Sequence, residues 1–153
     1  MTIISDEQIA YIRDGGVIAY PTSTLPGLGC IPTKEGLDAL FTLKSRSADK
    51  PVSLGVASLQ QVEALVDIDA RIIEFVDAFP RGGLSVIYPA KETQDVRLGG
   101  DAIAIRVFDH PAARALAEAV GPVTATSANE AGEEPADSVA EAGGELGLPE
   151  IAI

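Results

Sequence analysis

Short apolar runs alternate with helical segments along the chain, and this alternation restricts the possible folds most strongly. The runs "VIAY", "VSLGVA", "LSVIY", "AIAIRV" and "VTAT" are rich in β-branched residues, which is typical of strands. Their apolar residues are continuous, which predicts a sheet covered on both faces. Because helices are interleaved with these strands, without repeats or linkers, we predict a single α/β domain over residues 1–153 with a twisted mixed sheet and flanking helices.

Polar residues mark the expected starts of the helices, because Ser, Thr and Asp side chains accept hydrogen bonds from the first helical N–H groups. The predicted capping residues are Ser5, Thr33, Ser58, Asp69, Asp109 and Ser138. Ser5 and Ser58 are each followed three residues later by Gln, which is the capping-box pattern. The helix from Asp69 should run to Phe79. The segment "PTSTLPGLGCIPT", residues 21–33, is rich in Pro, Gly, Ser and Thr and is predicted to be a loop.

Composition excludes several classes of protein. The chain has 23 Asp and Glu against 11 Lys and Arg, a formal net charge of −12, which disfavours binding to nucleic acid and anionic membranes. No apolar run approaches the ~20 residues of a membrane span, and the N-terminus has no signal-peptide pattern. Cys30 is the only cysteine and His110 the only histidine. We therefore expect a cytoplasmic protein without a disulfide and without a His/Cys metal site.

Three cations lie close together in "LKSRSADKP", although cations are scarce in the chain: Lys44, Arg46 and Lys50. Lys44 lies at the end of an amphipathic helix, where its charge favours the helix dipole, and Asp49 is available to pair with a neighbouring cation. The same cluster, with Ser hydroxyls between the cations, also suits an anion, since Arg offers a planar fork and Lys a point charge. Chemistry alone leaves both interpretations open.

Two further segments carry candidate ligand-binding groups. "TSAN", Thr126 to Asn129, follows a predicted strand and supplies the Ser127 hydroxyl and the Asn129 amide, either as a ligand site or as an ordinary turn. Arg106 lies within the apolar strand "AIAIRV", where a charge is costly unless it is paired or lies at a binding surface.

The hydroxyl-rich segment "PTSTLPGLG" supplies Thr22, Ser23 and Thr24, followed by glycines that allow a ligand to approach the backbone. The segment matches neither the P-loop pattern nor the dinucleotide-binding glycine pattern. The chain also has no Gly-x-Ser-x-Gly nucleophile elbow.

Five segments in order resemble the YrdC family of L-threonylcarbamoyladenylate synthases. They are "YPTSTLPGLGC", "LKSRSADKPVSL", "GGLSVIYPA", "AIAIRVFDHP" and "VTATSANEAGEEP". The resemblance runs from about Gly15 to Pro135. It implies a twisted α/β sheet around a concave groove, and an enzyme that joins L-threonine, bicarbonate and ATP into threonylcarbamoyl-AMP and pyrophosphate. That product serves the t6A modification of tRNA, and some members bind double-stranded RNA.

The resemblance also assigns roles to residues of this sequence. Lys44 and Arg46 match the family's K-x-R pair, Lys50 its following lysine, and these three are the expected catalytic cations. The expected ATP- and substrate-binding residues are Thr22, Thr24, Arg106, Thr126, Ser127 and Asn129. Mg²⁺ is expected to arrive with ATP, so no metal ligands are assigned to the chain. Proteins of tRNA modification are the expected partners.

The sequence departs from the family pattern at Ser23, Pro26, Ser47 and Gly55, where members usually have an acidic residue, an aromatic residue, proline and histidine. The chain ends at Ile153, whereas members usually continue to a closing segment. From this we expect a domain that lacks that segment, binds nucleotide and turns it over slowly or with a partner. The alternatives are a double-stranded RNA-binding module of the same fold and a degenerate nucleotide-binding paralogue.

Overall fold

The computed structural model describes residues 4–22, 25–68, 71, 85–129 and 138–149. Within these residues the helices are α1 (Asp6–Arg13), α2 (Lys34–Lys44), α3 (Pro111–Val120) and α4 (Val139–Glu145). Two short 3₁₀ turns cover Leu59–Val62 and Val96–Leu98. No helix among the described residues is long and apolar enough to cross a membrane.

Six strands form one mixed sheet. They are β1 (Ile18–Tyr20), β2 (Gly27–Gly29), β3 (Ser53–Val56), β4 (Ser85–Pro89), β5 (Ala102–Val107) and β6 (Val123–Ser127). Their order across the sheet is β1-β2-β6-β3-β5-β4, and β3 and β5 pair in parallel while the other neighbours pair antiparallel. The predicted α/β fold with a mixed sheet is therefore confirmed.

Helices cover both faces of the sheet, as the continuous apolar strands predict. Successive residues of β1 point to opposite faces: Ala19 packs in the core beneath α2 and α4, whereas Ile18 and Tyr20 pack with residues of α1 and α3. The second core includes Ile12 of α1 and Leu116 of α3, both fully buried. The α1/α3 face is the one on which the candidate site lies.

The prediction that residues 21–33 form a loop is wrong in its centre, because Gly27–Gly29 is strand β2. Its residues pair with β1 on one side, and Gly27 and Leu28 pair with β6 on the other. A Gly-Leu-Gly segment has little intrinsic preference for a strand. Tertiary pairing with two neighbours, and the fully buried Leu28 side chain, determine its conformation here.

Two predicted helix caps differ from the structure. Ser58 begins a 3₁₀ turn and makes no capping hydrogen bond, because the Gln61 side chain instead accepts from the N–H of Ala57. His110 caps α3 in place of Asp109, with Nδ1 accepting from the N–H of Ala112 at 3.1 Å. The caps at Ser5, Thr33 and Ser138 are confirmed by side-chain hydrogen bonds to backbone N–H groups. The helix predicted from Asp69 to Phe79 lies outside the described residues, apart from Arg71.

Candidate functional site

A groove of about 200 Å³ opens on the α1/α3 face of the sheet, and we call it the sheet groove. β1, β2, β5 and β6 and the segments that follow them supply its lining. The residues that line it are Tyr20, Thr22, Leu25, Pro26, Gly27, Arg106, Phe108, Ala125, Thr126 and Ser127. Four of the residues predicted from the sequence, Thr22, Arg106, Thr126 and Ser127, are therefore brought together around one cavity.

The aromatic ring of Tyr20 lies flat across β2 because β2 carries glycines beneath it. A Cβ atom built on Gly27 or Gly29 would lie 2.8 Å from the Tyr20 ring, closer than real Cβ contacts. The phenol donates a hydrogen bond to the carbonyl oxygen of Thr124 at 2.9 Å. Complete burial raises the pKa of the Tyr20 phenol well above its ordinary value, so this group stays protonated. The Tyr20 ring forms part of the floor of the groove.

Arg106 is half-buried on β5 and lines the sheet groove. Among the described residues its guanidinium makes one long hydrogen bond, from Nε to Ser85 Oγ at 3.4 Å, and no carboxylate forms an ion pair with it. A cation on an apolar strand is costly when it has no counter-charge. The position of Arg106 at the groove is therefore suited to binding an anionic ligand.

Ser127 connects the sheet groove to a buried cation. Ser127 lines the groove, its hydroxyl donates a hydrogen bond to Asn129 Oδ1, and its backbone carbonyl accepts from Lys44 Nζ at 2.5 Å. The same ammonium donates to the carbonyl oxygen of Asn129 at 2.8 Å. Lys44, Ser127 and Asn129 thus meet in space although 83 and 85 positions separate Lys44 from the other two.

Lys44 is 1% exposed, at the inner end of the α2 stripe that also contains Leu37, Leu40 and Phe41. Burial, with a smaller contribution from the nearby charge of Arg46, lowers the pKa of the Lys44 ammonium to about 8. Two of its three N–H groups hold backbone carbonyls. In this geometry the ammonium fixes the backbone that carries Ser127.

Arg46 and Lys50 lie in the loop that follows α2. Arg46 Nε donates to the carbonyl oxygen of Lys50 at 2.7 Å, and Nη2 donates to that of Pro51 at 3.0 Å. The guanidinium therefore closes its own loop, while Lys50 is exposed. Neither residue lines the sheet groove, and contact with a phosphate stays a prediction for both.

Thr22 and Thr24 belong to the segment between β1 and β2. Thr22 lines the sheet groove and its hydroxyl donates to the carbonyl oxygen of Leu25 at 2.5 Å. Thr24 lies outside the described residues, as does Ser23. The described residues contain no group of three or more His, Cys, Asp or Glu side chains placed to hold a metal ion.

Sequence reasoning missed the two aromatic residues of the groove, Tyr20 and Phe108. Both belong to apolar runs, where an aromatic residue is normally a core residue, and both are 2% exposed. Glycines across from them at Gly27, Gly29 and Gly55 were the available signal, because a glycine inside a strand often marks the close approach of another group.

Comparison with known proteins shows that the chain matches a protein family. The family model Sua5_yciO_yrdC, described as "Telomere recombination", matches residues 10–149. A threonylcarbamoyl-AMP synthase from Marinobacter nauticus is 42% identical over 132 residues, covering 82% of this chain and 69% of that protein. One from Cellvibrio japonicus is 40% identical over 142 residues, covering 85% and 71%.

Among solved structures, the chain is similar to Sua5 from P. abyssi complexed with L-threonine. The TM-score is 0.82 at 31% identity, and the match covers 90% of this chain. The same match covers 42% of the Sua5 chain, so this chain spans less than half of that protein. YciO from E. coli matches with a TM-score of 0.70 at 25% identity, over 84% of this chain and 65% of that one.

Proposed function

The chain belongs to the Sua5/YciO/YrdC family, and on that premise we propose that it is a threonylcarbamoyl-AMP synthase. The reaction joins L-threonine, bicarbonate and ATP and releases pyrophosphate. The observation that carries the proposal is the sheet groove, which Arg106, Thr22 and Ser127 line together with the aromatic residues Tyr20 and Phe108. A cation, two hydroxyls and an apolar surface are the groups that an amino acid and a phosphate require.

The chemistry is a nucleotidyl transfer to a carbamate. The threonine amine and bicarbonate form the carbamate with loss of one water molecule, and one carbamate oxygen then attacks the α-phosphorus of ATP. The bond from that phosphorus to the bridging oxygen breaks, and pyrophosphate leaves with the electron pair. Negative charge spreads over the phosphate oxygens in the transition state, so fixed cations and hydroxyls lower the barrier without a covalent intermediate.

Each residue has a role that follows from its place. Arg106 offers its guanidinium to an anionic group in the groove, and Ser127 and Thr22 offer hydroxyls. Lys44 holds the backbone of Ser127 in position. Arg46 and Lys50, on the loop after α2, supply positive charge toward the polyphosphate, as the family resemblance implies. Mg²⁺ would come with ATP and would help to neutralise the phosphate charge, which would need few protein carboxylates. The product then serves tRNA modification.

Release of pyrophosphate from ATP tests this function. We expect release only when L-threonine and bicarbonate are both present. Replacement Arg106→Met keeps much of the apolar stem and deletes the charge, so the rate should fall by a factor of about 10 or more, corresponding to the loss of one hydrogen bond to a charged group.

Arg13→Met is the matched control, because Arg13 is exposed on α1 and bonds to the carbonyl oxygen of Ala119, outside the groove. Its rate should equal that of the native chain. The proposal would be contradicted by pyrophosphate release that does not depend on threonine. It would also be contradicted if Arg106→Met released pyrophosphate as fast as Arg13→Met.

A further inference from the structure

Phe108 lies directly on the backbone of β3, at the one position of that strand that is a glycine. A Cβ atom built on Gly55 would lie 1.9 Å from Cζ of Phe108, and 2.5 and 2.6 Å from its two Cε atoms. Real Cβ atoms essentially never approach another atom within 3.0 Å. Any side chain at position 55 therefore forces the Phe108 ring to move.

One ring contact and two backbone hydrogen bonds hold Phe108 in place. It packs edge-to-face against Tyr20, with the ring centroids 5.7 Å apart at 75°. The backbone N–H of Phe108 donates to the carbonyl oxygen of Val56 at 2.8 Å, and the carbonyl oxygen of Phe108 accepts from Arg114 Nη1 at 3.0 Å. Since Phe108 contacts β3 and also lines the sheet groove, a displacement away from β3 narrows the groove.

The lining of the groove combines a cationic side chain with apolar aromatic rings. Arg106 supplies a positive charge, while Phe108, two residues further along the chain, and Tyr20 supply an apolar floor. A volume of about 200 Å³ is smaller than the ~300–1,000 Å³ of pockets for drug-sized ligands. These features fit a small anion with a short apolar group, such as an aliphatic amino acid bound through its carboxylate.

We propose that Phe108, seated on Gly55, limits the size of the amino-acid side chain that the sheet groove accepts. The Phe108 ring forms the floor of the groove. The depth of the groove depends on the absence of a Cβ atom at Gly55, which lies beneath the ring. This inference rests on the proposed function, because it concerns the acceptor amino acid of that reaction. It assigns selectivity to a residue that is almost completely buried but that lines the groove.

The affinities of the full chain for threonine and isoleucine, measured by calorimetry, test whether Phe108 limits the size of the bound side chain. This measurement does not require turnover. Phe108→Leu shortens the side chain and deepens the groove, so the affinity for isoleucine relative to threonine should rise by about 10-fold or more, the effect of one methylene-sized change in an apolar pocket. Phe41→Leu is the matched control, since Phe41 is also a buried phenylalanine but lies on α2 beneath Arg97. It should lower the melting temperature and leave the ratio of affinities unchanged.

The reverse change tests the role of Gly55. Gly55→Ala should lower the affinity for threonine by about 10-fold or more, because the displaced ring enters the groove. Combining Gly55→Ala with Phe108→Leu should recover binding, since leucine leaves room for the added methyl group and the two changes are coupled. Where Gly55→Ala alone does not fold, the double variant and Phe108→Leu carry the test.

The outcomes separate this inference from the proposed function. A Phe108→Leu variant with the same ratio of affinities as Phe41→Leu, or a double variant that binds threonine no better than Gly55→Ala, overturns the role of the floor and leaves the proposed function standing. A native chain that binds no amino acid overturns both.

Discussion

The ammonium of Lys44 donates a hydrogen bond to the backbone carbonyl of Ser127, at 2.5 Å. One end of this contact is a side chain that is 1% exposed, and the other is a residue that lines the sheet groove. The contact joins the C-terminal end of α2 to the end of β6. A cation that the sequence suggests as a phosphate ligand therefore also fixes the geometry of the groove.

Replacing Lys44 with methionine should destabilise the fold. The variant keeps the apolar stem and loses two charge-assisted hydrogen bonds, leaving two partly buried carbonyl oxygens without this donor. We expect the free energy of unfolding to fall by about 1.5–3 kcal/mol in urea titrations. Lys91→Met, on an exposed lysine, should change it by no more than about 0.5 kcal/mol. Equal stabilities for the two variants would show that the Lys44 contacts contribute nothing.

The stability of the fold should depend on pH through Lys44. Its pKa is about 8 in the folded chain, against 10.5 for the ordinary side chain. Between these values the unfolded chain binds more protons at this group than the folded chain, so stability must rise as pH increases from about 8 to 10.5. Below pH 8 the cost of burying the charge is present in full. Urea titrations at pH 7.5 and 10 should show that the native chain gains stability relative to Lys44→Met as the pH rises; a difference between the two that stays constant would disprove it.

Arg46→Ala distinguishes a phosphate ligand from a loop clamp. If Arg46 contacts phosphate, the affinity for ATP measured by calorimetry should fall about 10-fold or more, from the loss of a charge-assisted contact. Lys34→Ala removes a cation from the exposed surface of α2 and should leave ATP binding unchanged. A variant that binds ATP normally while unfolding at lower urea would mean that Arg46 serves only the carbonyl oxygens of Lys50 and Pro51.

Gly29→Ala should be destabilising because of the Tyr20 ring. The added Cβ would lie 2.8 Å from the ring and 2.9 Å from the carbonyl oxygen of Thr124, and the latter is backbone that moves only at high cost. We expect a loss of about 1–3 kcal/mol. The matched control is Gly144→Ala on α4, where nothing lies within 4 Å of the new methyl group and a gain of about 0.4–1 kcal/mol is expected. Thermal unfolding of both variants decides the point.

Local signals in the sequence predict most of the elements. The capping box at Ser5 and Gln8 depends on residues three positions apart, and it forms as expected. The β-branched run "AIAIRV" coincides with β5. The strand Gly27–Gly29 could not be predicted in this way, because its conformation depends on β1 and β6 on either side.

The candidate site was also only partly predictable from the sequence. Charged and hydroxyl residues such as Arg106 and Ser127 are noticeable in an apolar or strand-end context, and both line the groove. The glycine at position 55 indicates that another group approaches β3 closely, but that this group is Phe108 could not be predicted, since it depends on the tertiary packing of β3. The hydrogen-bond partners of Lys44 could likewise not be predicted, because the carbonyl oxygens it binds belong to a segment more than 80 positions away.

Mass spectrometry of the reaction product tests the central claim most directly. The native chain is incubated with ATP, L-threonine and ¹³C-labelled bicarbonate, and the adenylates are separated. The account predicts threonylcarbamoyl-AMP that carries the label in its carbamoyl carbon, and its loss when threonine is omitted. An adenylate without the label, or no adenylate from a chain that binds both ATP and threonine, would contradict the account.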